Sequence, residues 1–275
     1  MDLDIFNSIS DKEFLLITDF LKSNYGVRIG PEKKSLVVSR LGSLLKDKGF
    51  GSFSQLYDYM IADETGESLI NLVDKLTTNH TFFMRESEHF VFFKDVVLPW
   101  MEQNVKDRDL RIWSAGCSTG EEPYTLSMIM RDYFGDKSTQ WNTKLLATDI
   151  STTVLNKAKS GVYPNEQVEL LPSSWKIKYF NKIDGENFEI KSVINENVIF
   201  RRFNLMENSF PFRKKFHVIF CRNVMIYFDE NTKRTLINKF YDLTEPGGYL
   251  FIGHSESIGR EQSRYKYIMP AVYRK

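Results

Sequence analysis

The segment Arg111–Tyr124 (RIWSAGCSTGEEPY) reads as an apolar strand running into a loop with Gly116 and Gly120, which opens a helix at Pro123. An α/β protein holds a nucleotide-like ligand at such a place. The glycines can take positive φ or let backbone approach a ligand, and proline suits a first helical turn. Glu121 and Glu122 narrow the ligand, because two carboxylates at a helix mouth repel a pyrophosphate but suit an ammonium group. S-adenosylmethionine has a nucleoside, no phosphate and an amino acid end. The alternative is that the two acids only complement the helix dipole.

In a doubly wound sheet, ligand groups gather outside the carboxyl ends of the strands. Asp149 ends the second strand, about 30 residues beyond the glycine loop, where an acid can accept both ribose hydroxyls; it could equally begin a turn before Ser151. Asn204-Leu205 follows the third strand and Asn223 follows Cys221-Arg222. Each asparagine offers a donor and an acceptor to an adenine edge, and each is also an ordinary turn residue. The two cysteines, Cys117 and Cys221, have no zinc spacing or disulfide pattern and read as reduced thiols. His80, His89, His217 and His254 lack His-x-x-x-His ligand spacing, so no metal site is expected.

The elements that must position these residues fall into two regions. From Asp11 to about Thr78 the pattern is helical, with one stripe of Phe14, Leu15, Ile17, Thr18 and Leu21 and another of Leu36, Val37, Leu41, Leu44 and Leu45. Breaks at Gly26, Gly30-Pro31, Gly49 to Gly51 and Gly66 predict four or five short helices. Lys33, Lys34, Arg40, Lys46 and Lys48 give the second helix a modestly basic face, which a plain solvated surface would also show. From about Arg111 the rhythm is strand, helix, strand, as in a doubly wound sheet. Strands are expected at Arg111–Ala115, Lys144–Thr148, Val198–Phe203, Phe216–Phe220 and Tyr249–Ile252, the last entered by a turn at Glu245–Gly248. Ser151 should cap the helix Thr152–Lys159, a further helix should span Asn231–Leu243, and Tyr273 should end the final strand. Between Leu170 and Asn197, the Asp184-Gly185 turn and the alternating Phe188–Ile194 predict a β-hairpin inserted into this rhythm.

The chain has 275 residues, enough for one large domain or two ordinary ones. With 37 Lys and Arg against 36 Asp and Glu it lacks the basic excess of a surface devoted to nucleic acid. No apolar run approaches the ~20 residues that span a bilayer, and the N-terminal Met1–Phe6 is acidic, unlike a secretory signal. A cytoplasmic protein without membrane insertion is expected.

Five segments, in order, carry a resemblance to a known family: Leu76–Glu86 (LTTNHTFFMRE), Trp113–Tyr124, Ala147–Ile150 (ATDI), Phe220–Asp229 (FCRNVMIYFD) and Gly253–Ser257 (GHSES). Together they resemble the chemotaxis-receptor methyltransferases of the CheR type, over essentially the whole chain. The resemblance implies an all-helical domain over residues 1–76, a linker over 77–90 that contributes to the active site, and an α/β methyltransferase domain over 91–275. That domain carries an inserted antiparallel β-subdomain at about 170–197. It also implies that Asn79, Thr81 and Arg85 reach the cofactor or reacting centre from the linker. Glu122 would lie at the amino acid end of S-adenosylmethionine, Asp149 on the ribose, and Asn204, Leu205, Asn223 and Val224 on the adenine side. From the residues alone, Asn79 and Thr81 could instead cap a helix over Phe82–Phe93.

The family reaction esterifies glutamate side chains of chemoreceptors, yielding S-adenosylhomocysteine. A glutamate is already anionic at neutral pH, so the reaction needs positioning more than a strong base. A guanidinium and a phenol can hold one carboxylate oxygen while the other attacks, and by their place in the motifs Arg85 and Tyr227 resemble these groups. The partners implied are the cytoplasmic helices of chemoreceptors and, in some members, a receptor tail gripped by the β-subdomain. In family members the receptor-facing helix is basic; here the basic residues are interrupted by Glu32 and Asp47. Two other readings stand beside this one. A dinucleotide-dependent oxidoreductase fits the strand-loop-helix, although Glu121-Glu122 and the missing Gly-x-Gly-x-x-Gly oppose it. A non-catalytic S-adenosylmethionine-binding adaptor is opposed by retention of Arg85 and Tyr227.

Overall fold

In the computed structural model of the protein, residues 8–259 and 263–275 are described; the acidic stretch Met1–Phe6 lies outside them. The chain divides into two compact units. The smaller comprises the chain up to Asn79 with Asn204–Met206 and Tyr227–Lys233, and the larger comprises His80–Phe203, Glu207–Ile226 and Arg234–Lys275. Among the described residues no helix is long and apolar enough to cross a membrane.

The smaller unit is built on α1 (Asp11–Tyr25), α2 (Lys34–Lys48), α3 (Phe53–Ala62) and α4 (Glu67–Leu76). Ser10 and Glu13 form a reciprocal capping box that satisfies the first free N–H groups of α1. Gly26 and Gly49 end α1 and α2 in the left-handed conformation, where the sequence breaks were expected. Phe14, Ile17, Leu21, Val37, Leu41 and Leu45 are buried at helical spacing and form the core with Leu56, Met60, Ile70 and Val73. Leu15 departs from its predicted stripe and is 53% exposed. Arg40 departs from the basic face: its guanidinium donates to the Lys75 and Thr77 carbonyls at the end of α4, at 3.0 and 2.9 Å. It satisfies carbonyls that a helix end leaves free.

The larger unit begins with α5 (Ser87–Phe92), which passes through a π-type turn at Phe93–Val97 into α6 (Leu98–Asn104). It continues with β1 (Ile112–Ala115), α7 (Glu121–Phe134), β2 (Leu145–Asp149), α8 (Thr152–Ser160), β3 (Val162–Pro164), α9 (Asn165–Val168), α10 (Ser173–Tyr179), β4 (Phe180–Lys182), β5 (Asn187–Ile190) and α11 (Ser192–Asn195). The remaining elements are β6 (Val198–Arg202), β7 (Phe216–Cys221), α12 (Glu230–Leu243), whose first turn belongs to the smaller unit, β8 (Thr244–Ile252), β9 (Lys266–Met269) and β10 (Val272–Arg274). The main sheet has the order β6-β2-β1-β7-β8-β10-β9. Its first five strands run parallel, and β10 and β9 join antiparallel at one edge. Strand order reverses at β1, so the crevice between the carboxyl ends of β1 and β7 is where such a sheet takes a ligand. Trp113 on β1 anchors the core: its indole N–H donates to Thr148 at 2.9 Å, and Phe203, Phe210, Phe212, Phe216 and Phe240 surround its ring.

The inserted hairpin is present, β4 pairing antiparallel with β5, but the subdomain is larger than its sequence signal. β3 adds a third strand on β5, so its sheet begins at Val162. The predicted strand Phe188–Ile194 stops at Ile190, and Ser192–Asn195 turns into helix. The turn expected at Glu245–Gly248 is a bulge inside β8: Phe216 faces Thr244 and Val218 faces Tyr249, so these four residues lie opposite His217 alone.

Candidate active site

The loop after β1 holds the first part of the site. Gly116 has φ +84, and a Cβ there would come within 2.3 Å of Val224 Cγ2, so glycine lets the loop close onto the segment that follows β7. Cys117 and Cys221 are free and buried, and burial pushes both thiols up. Asp149, at the end of β2, accepts the Ser118 N–H at 2.8 Å and the Ser151 N–H at 3.0 Å. The turn reading and the ligand reading of Asp149 are therefore compatible: one carboxylate fixes the glycine loop and the start of α8. Ser151 caps α8 through the Val154 N–H, as expected.

The two acids that open α7 separate. Glu121 is 1% exposed, accepts the Thr119 hydroxyl, and is pushed up by burial. Glu122 accepts the Ser114 hydroxyl at 2.7 Å and the Arg222 guanidinium at 3.0 Å. Glu122 is thereby held between Ser114 of β1 and Arg222 at the end of β7. Arg222 also meets Glu86 at 3.0 Å, giving a Glu-Arg-Glu triad of formal charge −1 in which the arginine is buried and both glutamates are partly buried. Burial pushes the Glu86 carboxyl up, but the Arg222 charge and hydrogen bonds from Arg222, Asn223 and His254 outweigh it, so its net shift is downward.

Asn223 occupies the left-handed region at φ +59, and its side-chain amide donates to Glu86 at 3.2 Å. Beneath it, the buried Glu256 carboxylate accepts backbone N–H groups of Asn223, Gly253 and Ile226 at 2.9, 2.6 and 3.1 Å. A Cβ on Gly253 would meet the Asn223 amide nitrogen at 2.4 Å. Met84, Glu86, Ser118 and Asn223 make up four of the six non-glycine residues with positive φ among the described residues. All four lie in the three segments that flank the triad, where such strain marks a functional site.

The sequence-predicted residues divide between the units. Thr81, Arg85, Glu122, Asp149, Asn223 and Val224 belong to the larger unit, and Asn79, Asn204, Leu205 and Tyr227 to the smaller. Helix α5 starts only at Ser87 with no side-chain cap, so Asn79 and Thr81 do not cap it. Arg85 donates to the His80 carbonyl at 2.7 Å and lies 6.0 Å from the Phe82 ring. In the smaller unit, the Tyr227 hydroxyl accepts the Thr78 N–H at 2.9 Å and donates to the Thr78 carbonyl at 3.1 Å. Asn204 donates to the Asn24 carbonyl at 2.8 Å, and Leu205 is buried.

Sequence reading singled out neither Arg222 nor Glu256, although both lie inside quoted motifs; a charged residue at a strand end was the available signal. It also did not foresee that Glu86, His89 and His254 bring one ligand-type atom each within 4.8 Å of one another. The Arg222 guanidinium already occupies Glu86, and its fixed charge opposes a divalent ion there. His89 is fully buried, and burial with the nearby Arg222 charge holds its imidazole down at about 4.

S-adenosylmethionine needs an acceptor for its ribose and a negative field for its cationic end. Asp149, oriented by two N–H groups at the end of β2, and the triad of net charge −1 beside the glycine loop fit both needs.

Two family descriptions cover the chain: "CheR methyltransferase, all-alpha domain" at residues 12–77 and "CheR methyltransferase, SAM binding domain" at residues 79–273. The chain is 44% identical over 271 residues to a chemotaxis protein methyltransferase of Borreliella burgdorferi, covering 98% of this chain and 95% of that one. Against Chemotaxis protein methyltransferase Cher2 of Pseudomonas putida it is 33% identical, covering 95% and 96% of the two chains. Against the chemotaxis protein methyltransferase of Escherichia coli it is 32% identical, covering 97% and 91%.

Proposed function

Because the chain belongs to the CheR methyltransferase family and binds S-adenosylmethionine, we propose that it methylates glutamate side chains on chemoreceptors, forming methyl esters during chemotactic adaptation. The single observation that supports this most is the acidic charge pattern of the crevice at β1 and β7, beside a linker that carries Arg85.

When bound, the cofactor supplies a methyl group on a sulfonium. Transfer of that methyl to a carboxylate oxygen of a receptor glutamate would leave the C–S pair on sulfur and would need no proton from the protein, so the residues here would bind and orient rather than act as acid or base. Asp149 accepts the ribose hydroxyls and Glu122 faces the ammonium end. Asn223 and Val224, with Asn204 and Leu205, serve the adenine, and Asn79 and Thr81 contribute from the linker. Arg85 gives charge-assisted hydrogen bonds to the substrate carboxylate, and Tyr227 a neutral one.

Receptor helices are the proposed partners of α2. An open groove of about 710 Å³ is lined by Ser35, Ser39, Gly42 and Ser43, with Lys34 and Lys46 among its walls. Small side chains admit a helix closely and the lysines suit an acidic one. Incubating the protein with receptors from the same cell and methyl-labelled S-adenosylmethionine, then mapping peptides, tests the assignment. Label on glutamates of receptor helices is expected; label confined to other residue types would overturn it.

A further inference from the structure

Arg222 meets two acids and a main-chain carbonyl of the crevice at once. It follows β7 directly, and its side chain is 3% exposed. One guanidinium nitrogen reaches Glu122 at 3.0 Å, while the other reaches Glu86 at 3.0 Å and donates to the main-chain carbonyl of Arg85. The guanidinium also lies 5.2 Å from the Phe90 ring centroid on α5. It thereby joins the linker, the first turn of α7 and the end of β7.

The linker needs such a hold. Met84 and Glu86, on either side of Arg85, have φ of 61° and 55°, a conformation that side-chain-bearing residues keep only when their surroundings impose it. Glu86 is further fixed by the Asn223 amide at 3.2 Å and the His254 N–H at 3.2 Å. The planar fork of arginine can serve two carboxylates and a carbonyl at once; the point charge of lysine cannot.

We propose that Arg222 is a positioning residue, setting the linker conformation at Arg85 and so the direction from which the Arg85 guanidinium reaches the reacting carboxylate, a role that rests on the assignment of Arg85 above. The link runs through the Arg85 carbonyl and Glu86, while the contact with Glu122 keeps the linker in register with the cofactor loop.

A double-mutant cycle on the intact protein tests this, with kcat and KM for S-adenosylmethionine measured in wild type, Arg222→Lys, Arg85→Ala and the double variant. Arg222→Lys keeps the charge, so a role of charge alone would be rescued. The expected result is a fall in kcat of about tenfold for Arg222→Lys in the wild-type background and less than about twofold in Arg85→Ala, where no guanidinium is left to position. Equal factors in both backgrounds, or an unchanged kcat in Arg222→Lys, would overturn the positioning role while sparing Arg85. Full turnover in Arg85→Ala alone would overturn the Arg85 assignment and the positioning role with it. Should circular dichroism show Arg222→Lys unfolded, Glu86→Gln replaces it in the same cycle, with the same non-additive pattern expected and additivity overturning the role.

Discussion

At the scale of single residues, the site combines groups with readable local signals and groups without them. The turn role of Asp149 was legible from an acid set two residues before Ser151 at a strand end, and its carboxylate takes the Ser118 and Ser151 N–H groups. Arg222 was not, since its two carboxylates come from segments about 100 residues or more away in sequence. Asp149→Ala should weaken binding of S-adenosylhomocysteine by roughly 1.5–3 kcal/mol with the circular dichroism unchanged. Calorimetry checks this, and unchanged affinity would place the ribose elsewhere. Glu122→Lys should reduce cofactor affinity more than Glu122→Gln, because it sets a cation beside both Arg222 and the ligand ammonium. Equal affinity in the two variants would leave Glu122 a role toward Arg222 and Ser114 only.

At the scale of elements, glycine punctuation predicted four or five N-terminal helices where four α-helices stand, and periodicity marked the first two of them and the parallel strands, since burial on one face leaves a repeating mark. β3 left no such mark: three residues ending in proline, Val162–Pro164, become a strand only by pairing with β5. Helix α11 was masked because Ser192–Asn195 continues the alternation of the strand before it. The basic face of α2 was legible as composition, but nothing local told that Arg40 turns to the end of α4. Lys33→Glu with Lys46→Glu, both exposed, should lower receptor methylation at low salt and leave cofactor affinity unchanged, and added salt should mimic the change. Insensitivity of receptor methylation to both would leave α2 a solvated helix. Arg40→Ala should instead cost about 1–2 kcal/mol of stability through the lost carbonyl bonds, read from the denaturant midpoint.

For the whole molecule, two buried histidines should set the acid limb of stability. His89 faces Arg222, Glu86 and His254, and His217 faces Arg111, Glu245, Asp107 and Asp109; burial holds both imidazoles down at about 4, against 6.5 when solvated. Between those values the unfolded chain binds more protons than the folded one, so stability should fall as pH drops from about 6.5 to 4, by about 3 kcal/mol at most for each histidine. Denaturant titrations across that window should show a shallower slope in His89→Met; an unchanged slope would mean that His89 is already protonated in the fold. The reaction class is tested most directly by the stability of the product in base. Incubating the protein with receptor and methyl-labelled S-adenosylmethionine, then treating the receptor with mild base, should release the label as volatile methanol, as a glutamate methyl ester requires. Label that stays on the receptor through base, or label carried by a small carboxylic acid with none on receptor, would contradict methylation of receptor glutamates.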